Sequence, residues 1–131
     1  DRAKLVEEQY AEYIVLDSIN LNGKLTLGEN IADIDGLRIS YYAWKRSLAG
    51  ETPESKDGFT PEQRFFINYG QLWSSLMRPE FLKLMVNTNP HSPPEWRVNG
   101  STSSLTEFYE AFGVQEGDPM FRAEDKRMSI W

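Results

Sequence analysis

Cysteine is absent from all 131 residues, so disulfides, thiolate metal sites and cysteine nucleophiles are excluded within the chain. Histidine occurs once, at His91. Metal chemistry that takes two imidazoles therefore needs them from elsewhere. No apolar run is long enough to span a bilayer, and no signal-peptide pattern opens the sequence. Lys and Arg number 14 against 20 Asp and Glu and do not cluster, which argues against binding a nucleic-acid backbone. The formal charge of −6 favours solubility and says little about partners. There is no Walker-type loop, no dinucleotide fingerprint and no nucleophile-elbow sequence. What remains is 40% hydrophobic and 13% aromatic, a folding composition of a length that suits one compact unit with a modest core.

The apolar spacing predicts a mainly helical chain without a confident strand. Ala3 to Ile19 reads as mostly helix, followed by a turn at Asn20 to Lys24 signalled by Asn22-Gly23. Thr26 to Leu48 reads as a long helix, with Thr26 and Glu29 spaced as a capping box. Leu27, Ile31, Ile34, Tyr41 and Tyr42 favour its inner side; Glu29, Asp33, Gly36 and Ser40 share the opposite one. Gly36 and Ser40 are small enough to admit another backbone or a ligand. Ala49 to Gly58 is a polar connection. Thr60-Pro61-Glu62-Gln63 opens another helix, and Pro79 interrupts it or starts a second segment, Glu80 to Val86. Asn87 to Ser103, with three prolines and Gly100, reads as loop. Ser104 and Glu107 are spaced as a further capping box for a short helix that stops at Gly113. The remainder is irregular, and the terminal Trp131 is expected to dock on apolar area alone.

Four side chains carry candidate chemistry. Glu29 is either the carboxylate of the capping box or an anionic oxygen ligand for a metal such as Zn²⁺. Asp33, one turn on, suits a carboxylate that orients a metal-bound histidine, a surface acid or the partner of an arginine. His91 lies in the rigid run Asn89-Pro90-His91-Ser92-Pro93-Pro94, where it suits hydrogen-bond donation or proton transfer, or is merely exposed. Arg97 has a fork that clamps a carbonyl or carboxylate, or makes a salt bridge to one of the many acids. Glu29 and Asp33 on adjacent turns do not define a sugar cleft of the paired-carboxylate kind. The aromatics fall at helical spacing, as core residues do.

The run Asn22-Gly23-Lys24-Leu25-Thr26-Leu27-Gly28-Glu29-Asn30-Ile31-Ala32-Asp33 resembles the neprilysin-like zinc metallopeptidases, as does Asn89-Pro90-His91-Ser92-Pro93 with Arg97. Ala111-Phe112-Gly113, Gly117-Asp118-Pro119-Met120 and the Trp131 end add to the agreement, in family order and over nearly the whole chain. The resemblance implies the C-terminal helical portion of a thermolysin-like (zincin) catalytic domain, with 1–131 as one helical unit. It implies Glu29 as the third zinc ligand and Asp33 as the residue that holds a zinc-bound histidine. His91 would be the donor to the oxyanion and Arg97 a contact to the substrate backbone. Small peptides, cut on the amino side of an apolar residue, are the implied substrates.

The family's His-Glu-x-x-His motif, source of two zinc ligands and the general base, is not in this sequence. The same holds for its substrate-binding edge strand. The parent is therefore expected to be a zinc endopeptidase with one Zn²⁺, partnered here by the upstream part of the same catalytic domain. The isolated chain is expected to be inactive and to hold no zinc. Met128 stands where extracellular members carry a cysteine, which favours a bacterial cytoplasmic parent and leaves a secreted or membrane-tethered one open. Two other readings stay open: a non-catalytic helical structural or interaction domain derived from a peptidase, and a fragment that self-associates through uncovered apolar faces.

Overall fold

The computed structural model describes residues 2–129; the expected docking of Trp131 lies outside the described residues. The chain is mainly helical, as its spacing predicts. Helix α1 (Arg2–Ala11) turns Val6, Gln9 and Tyr10 inward and is followed by a small antiparallel hairpin, β1 (Ile14–Leu16) with β2 (Ile19–Asn20). The expectation of helix through Ile19 is thus corrected, and a short strand pair stands where no confident strand was read. Ile14, Val15 and Ile19 are β-branched and suit a pleated ribbon. Asp17, at φ 51°, takes the left-handed turn position that Asp tolerates. Asn20 then closes the end of α1, its Nδ2 donating to Ala11 O at 2.8 Å.

Helix α2 (Leu27–Ser47) is the longest element and buries Asn30, Ile34, Asp35, Leu37 and Tyr41. Of the expected inner positions Ile34 and Tyr41 are buried, whereas Tyr42 is exposed. Helices α3 (Pro61–Leu72), α4 (Pro79–Thr88), α5 (Pro94–Thr102) and α6 (Thr106–Phe112) follow, then a 3-10 turn at Glu124–Lys126. Proline occupies the first turn of α3, α4 and α5, where a missing N–H costs nothing. Gly113, at φ +67°, ends α6 in the left-handed position that glycine adopts without strain.

The three predicted capping boxes separate by geometry. Thr60 is extended (φ −66°, ψ 161°), so its hydroxyl accepts from Gln63 N at 3.2 Å while Gln63 Oε1 accepts from Thr60 N at 3.0 Å. Thr26 sits at φ −94°, ψ 1°, outside the extended cap region. Its hydroxyl donates instead to Asn22 O and accepts from Asn30 Nδ2 at 2.8 Å. Ser104 also makes no cap: its hydroxyl donates to Gln9 Oε1. Glu29 is therefore free of the capping role that its spacing suggests.

Helix α5 replaces the loop expected over Asn87 to Ser103. At its end the buried hydroxyls find partners: Thr102 Oγ1 donates to Val98 O at 2.8 Å, Ser103 Oγ to Gly100 O at 3.0 Å, and Ser101 Oγ meets the Tyr10 hydroxyl of α1. The fully buried Gln9 amide reaches across from α1 to Gly100 O (2.9 Å) and Ser103 Oγ (3.1 Å). A polar stretch thus becomes a packed helix because every buried donor has a partner. Val6, Tyr10, Leu21, Ile34, Leu37, Tyr41, Phe66, Leu105 and Met128 form the core around it. At the far end, Arg38 Nη2 donates to Ser104 O and Met128 O at 3.2 and 3.0 Å, which ties the last described residues to α2.

Gly23 lies directly on α1: a Cβ there would stand 2.1 Å from Glu7 O and 3.0 Å from Ala11 N. Both are backbone atoms of a regular helix and cannot step aside. Gly23→Ala is expected to destabilise the fold by about 3 kcal/mol, the upper end for overpacking. A denaturation midpoint unchanged by Gly23→Ala would contradict this packing.

Candidate active site

Helix α5 packs along α2, and this pairing brings the sequence-predicted residues into one place. Glu29 and Asp33 lie one turn apart near the start of α2. His91 and Arg97 come from the rigid run before α5 and from its first turns. They meet one to one. His91 Nε2 stands 3.2 Å from Glu29 Oε2, with both side chains 43% exposed. Arg97 Nε and Nη2 donate to the two oxygens of Asp33, each at 2.7 Å, in a fork-to-fork pair that is 15% and 12% exposed. In the structure Asp33 is thus paired with an arginine and Arg97 with an acid.

The two pairs differ in electrostatic character. The hydrogen bonds to Asp33 hold the Arg97 guanidinium above its ordinary pKa, against the opposing effect of burial. Its flat face lies 3.9 Å from the ring of Trp73, so it is stacked as well as paired. Tyr69 donates its hydroxyl to Arg97 O at 3.2 Å, which steadies α5 against α3. Burial raises the pKa of that phenol, so it stays a neutral donor. The Glu29–His91 pair is the more solvent-exposed of the two.

Three contributors were not singled out by sequence reasoning. Asn30, wholly buried on α2, accepts from Ser92 Oγ at 2.6 Å and so fastens the His91 loop to the helix that carries Glu29. A polar residue at an inward position of α2 was the available signal. Asn89 Oδ1 accepts from His91 N at 2.9 Å and faces His91 Nδ1 at 3.0 Å; an Asn two residues ahead of the histidine was the signal. Trp73, next to the end of α3, gave none. Beside Asp33 the small residues Gly36 and Ser40 open, as expected, onto a groove of about 310 Å³ walled by Phe65, Tyr69 and Leu72. Among the described residues no three His, Cys, Asp or Glu side chains converge to hold a metal ion.

Residues 1–128 match the sequence pattern of Peptidase family M13, a stretch that takes in all four site residues. The chain is 43% identical over 123 residues to Neprilysin-2 of Drosophila melanogaster, covering 91% of this chain and 16% of that protein. It is 46% identical over 118 residues to membrane metallo-endopeptidase-like 1 of Mus musculus, covering 88% and 15%. It therefore spans 15–16% of the length of these relatives. Its fold is similar to that of the Mycobacterium tuberculosis zinc metalloprotease Zmp1 in complex with an inhibitor. There the TM-score is 0.95 and the identity 37%, covering 99% of this chain and 21% of that one. PepO from Lactobacillus rhamnosis HN001 gives a TM-score of 0.80 at 34% identity, covering 99% and 19%. Pattern, identity and superposition agree: the chain belongs to peptidase family M13.

Proposed function

We propose that the intact protein is a zinc-dependent endopeptidase of small peptides, and that this chain is the C-terminal helical part of its catalytic domain. The observation that carries the reading is the one-to-one meeting of Glu29 with His91 and of Asp33 with Arg97 on one helix face. Membership of the family supports the rest. The donor set fits one share of a zinc site. Glu29 is an anionic oxygen donor, half exposed and free of the cap, with Asp33 one turn behind it. The other zinc ligands and the general base would come from the upstream part of the domain. Leu72, Leu76, Phe81 and Leu84 are exposed apolar side chains that such a part would cover.

Zinc, when bound, supplies Lewis-acid polarisation of a peptide carbonyl and a nucleophilic water at neutral pH. Asp33 spends one lone pair of each oxygen on Arg97, and a carboxylate has further acceptor sites. It can therefore also accept from the N–H of a zinc-ligating histidine. Arg97 uses Nε and Nη2 on Asp33, which leaves Nη1 for a substrate carbonyl. His91 presents Nε2 beside Glu29, placed to donate to an oxygen that gains charge as the peptide bond is attacked.

His91→Ala in the intact protein is expected to leave zinc bound and to lower kcat about 100- to 1,000-fold, the range for loss of one oxyanion donor. Zinc content and kcat measured on the same preparation separate the roles. Zinc lost together with activity would sink the donor assignment. Chelator-sensitive hydrolysis by the homogeneous 131-residue chain would contradict the view that it carries only part of the site.

A further inference from the structure

We infer that Ser92 and Asn30 form a buried pin that sets where the loop carrying His91 stands on α2, and that both are positioning residues; the inference rests on the function proposed above. Glu29 and Asn30 are consecutive on α2, and His91 and Ser92 are consecutive on the run before α5. The outer members of these neighbours, Glu29 and His91, meet at 3.2 Å, and the inner members at 2.6 Å. Ser92 and Asn30 are 1% and 0% exposed, so their bond is shielded from water while the pair beside it is open.

Chemistry fixes the sense of each bond behind this pin. A backbone carbonyl can only accept, so the Thr26 hydroxyl donates its proton to Asn22 O at 3.1 Å. Thr26 Oγ1 is left as an acceptor, and the Asn30 amide turns its Nδ2 to it at 2.8 Å. Oδ1 is then the Asn30 atom that faces Ser92, whose hydroxyl donates. The far end of the chain is seated on α1, because Gly23, next to Asn22, lies against backbone atoms of Glu7 and Ala11. A line of hydrogen bonds therefore runs from the turn on α1, through the start of α2, to the loop of His91.

The other partners of His91 cannot do this work. Asn89 is two residues away on the same loop and does not fasten that loop to α2. Glu29, on the proposed function, is committed to the metal and cannot anchor the loop as well. Pro90 precedes His91, and Pro93 and Pro94 follow Ser92. These stiff neighbours carry a shift of the Ser92 anchor to the imidazole instead of absorbing it.

The test uses the intact, zinc-loaded protein with Ser92→Ala, Thr26→Val, His91→Ala and the double variant Ser92→Ala/His91→Ala. Hydrogen–deuterium exchange, read by mass spectrometry, follows the peptide that spans 87–97. Ser92→Ala is expected to speed exchange there about tenfold, with α3 and α6 unchanged, as local opening of one segment does. Thr26→Val leaves Ser92 in place and is expected to speed exchange in the same peptide, because the Asn30 amide loses the bond that orients it. In peptide hydrolysis Ser92→Ala is expected to keep its zinc and to lower kcat about 10- to 100-fold with KM within about threefold, the effect of a misplaced group. It adds nothing further in the His91→Ala background. A lower unfolding temperature with wild-type kcat in the folded, zinc-loaded enzyme would overturn the inference. Unmoved exchange over 87–97 in Ser92→Ala or in Thr26→Val, or an equal loss of kcat with and without His91, would do the same. A wild-type protein without zinc-dependent hydrolysis would sink the proposed function alone, since exchange still decides whether the pin holds the loop.

Discussion

Glu29→Ala in the intact peptidase is expected to release its zinc and to cut peptide hydrolysis by a factor on the order of 1,000 or more, as loss of the metal's chemistry requires. The fold is expected to stay. Glu29 makes no capping bond, and its partner in the structure is a half-exposed His91. A solvent-open pair of this kind contributes no more than about 1 kcal/mol. The two magnitudes differ so widely that metal content and unfolding temperature, measured together, identify the cause. Zinc retained at full stoichiometry by Glu29→Ala would remove Glu29 from the ligand set. Zinc lost alongside a large drop in unfolding temperature would return it to a structural role.

Asp33→Ala acts on both sides of the molecule's business, stability and metal. It leaves the Arg97 guanidinium, only 15% exposed and stacked on Trp73, without its carboxylate. Breaking a buried pair costs about 3–5 kcal/mol, and the remaining solvent access reduces this to roughly 2–4 kcal/mol here. Arg97→Ala strands the opposite charge at a similar cost. Removing both charges relieves the unpaired one, so Asp33→Ala/Arg97→Ala is expected to be less damaging than the sum of the singles by about 2 kcal/mol. A double-mutant cycle on the unfolding of the domain that carries them measures this coupling. Strict additivity would contradict the fork-to-fork pair. Asp33→Ala is also expected to weaken zinc about 10- to 100-fold, the usual effect of removing a carboxylate behind a ligating histidine. Arg97→Ala, which spares that carboxylate, is expected to raise KM with zinc affinity nearly intact.

Much of this arrangement was legible in the amino-acid order, and the rest was hidden for identifiable reasons. Thr60-Pro61, Pro79 and Gly113 mark helix ends through local chemistry, so the starts of α3 and α4 and the end of α6 stand where the sequence puts them, although α3 stops at Leu72 instead of running on to Pro79. Pro94 carried the same signal for α5, yet Gly100-Ser101-Thr102-Ser103-Ser104 reads as loop until the buried Gln9 amide and the helix carbonyls take up its polar groups. That compensation is tertiary and leaves no local trace. The hairpin after α1 was masked because Tyr13, Ile14 and Leu16 continue a helical spacing, whereas their β-branched neighbours and Asp17 favour the ribbon. Thr26 and Glu29 show the opposite lesson. Their spacing is right for a capping box, but Asn22 and Asn30 take the hydroxyl first.

At the site, types and spacings picked out Glu29, Asp33, His91 and Arg97, and the structure pairs them. Which acid meets which base was not readable, because Asp33 and Arg97 lie 64 residues apart and meet only through the packing of α5 on α2. Of the three supporting residues, Trp73 left no trace in the sequence, and Asn30 and Asn89 left only the polar signals noted above. The partners that bring Asn30 and Trp73 to the site, Ser92 and Arg97, are distant in sequence, whereas Asn89 acts through a local turn.

Anomalous diffraction at the zinc edge, on crystals of the intact protein, tests the central claim most directly. The account predicts one zinc peak at about 2.0–2.2 Å from a carboxylate oxygen of Glu29, with Asp33 behind a ligating histidine. A zinc peak remote from Glu29, or a fully loaded protein in which Glu29 touches only His91, would contradict it.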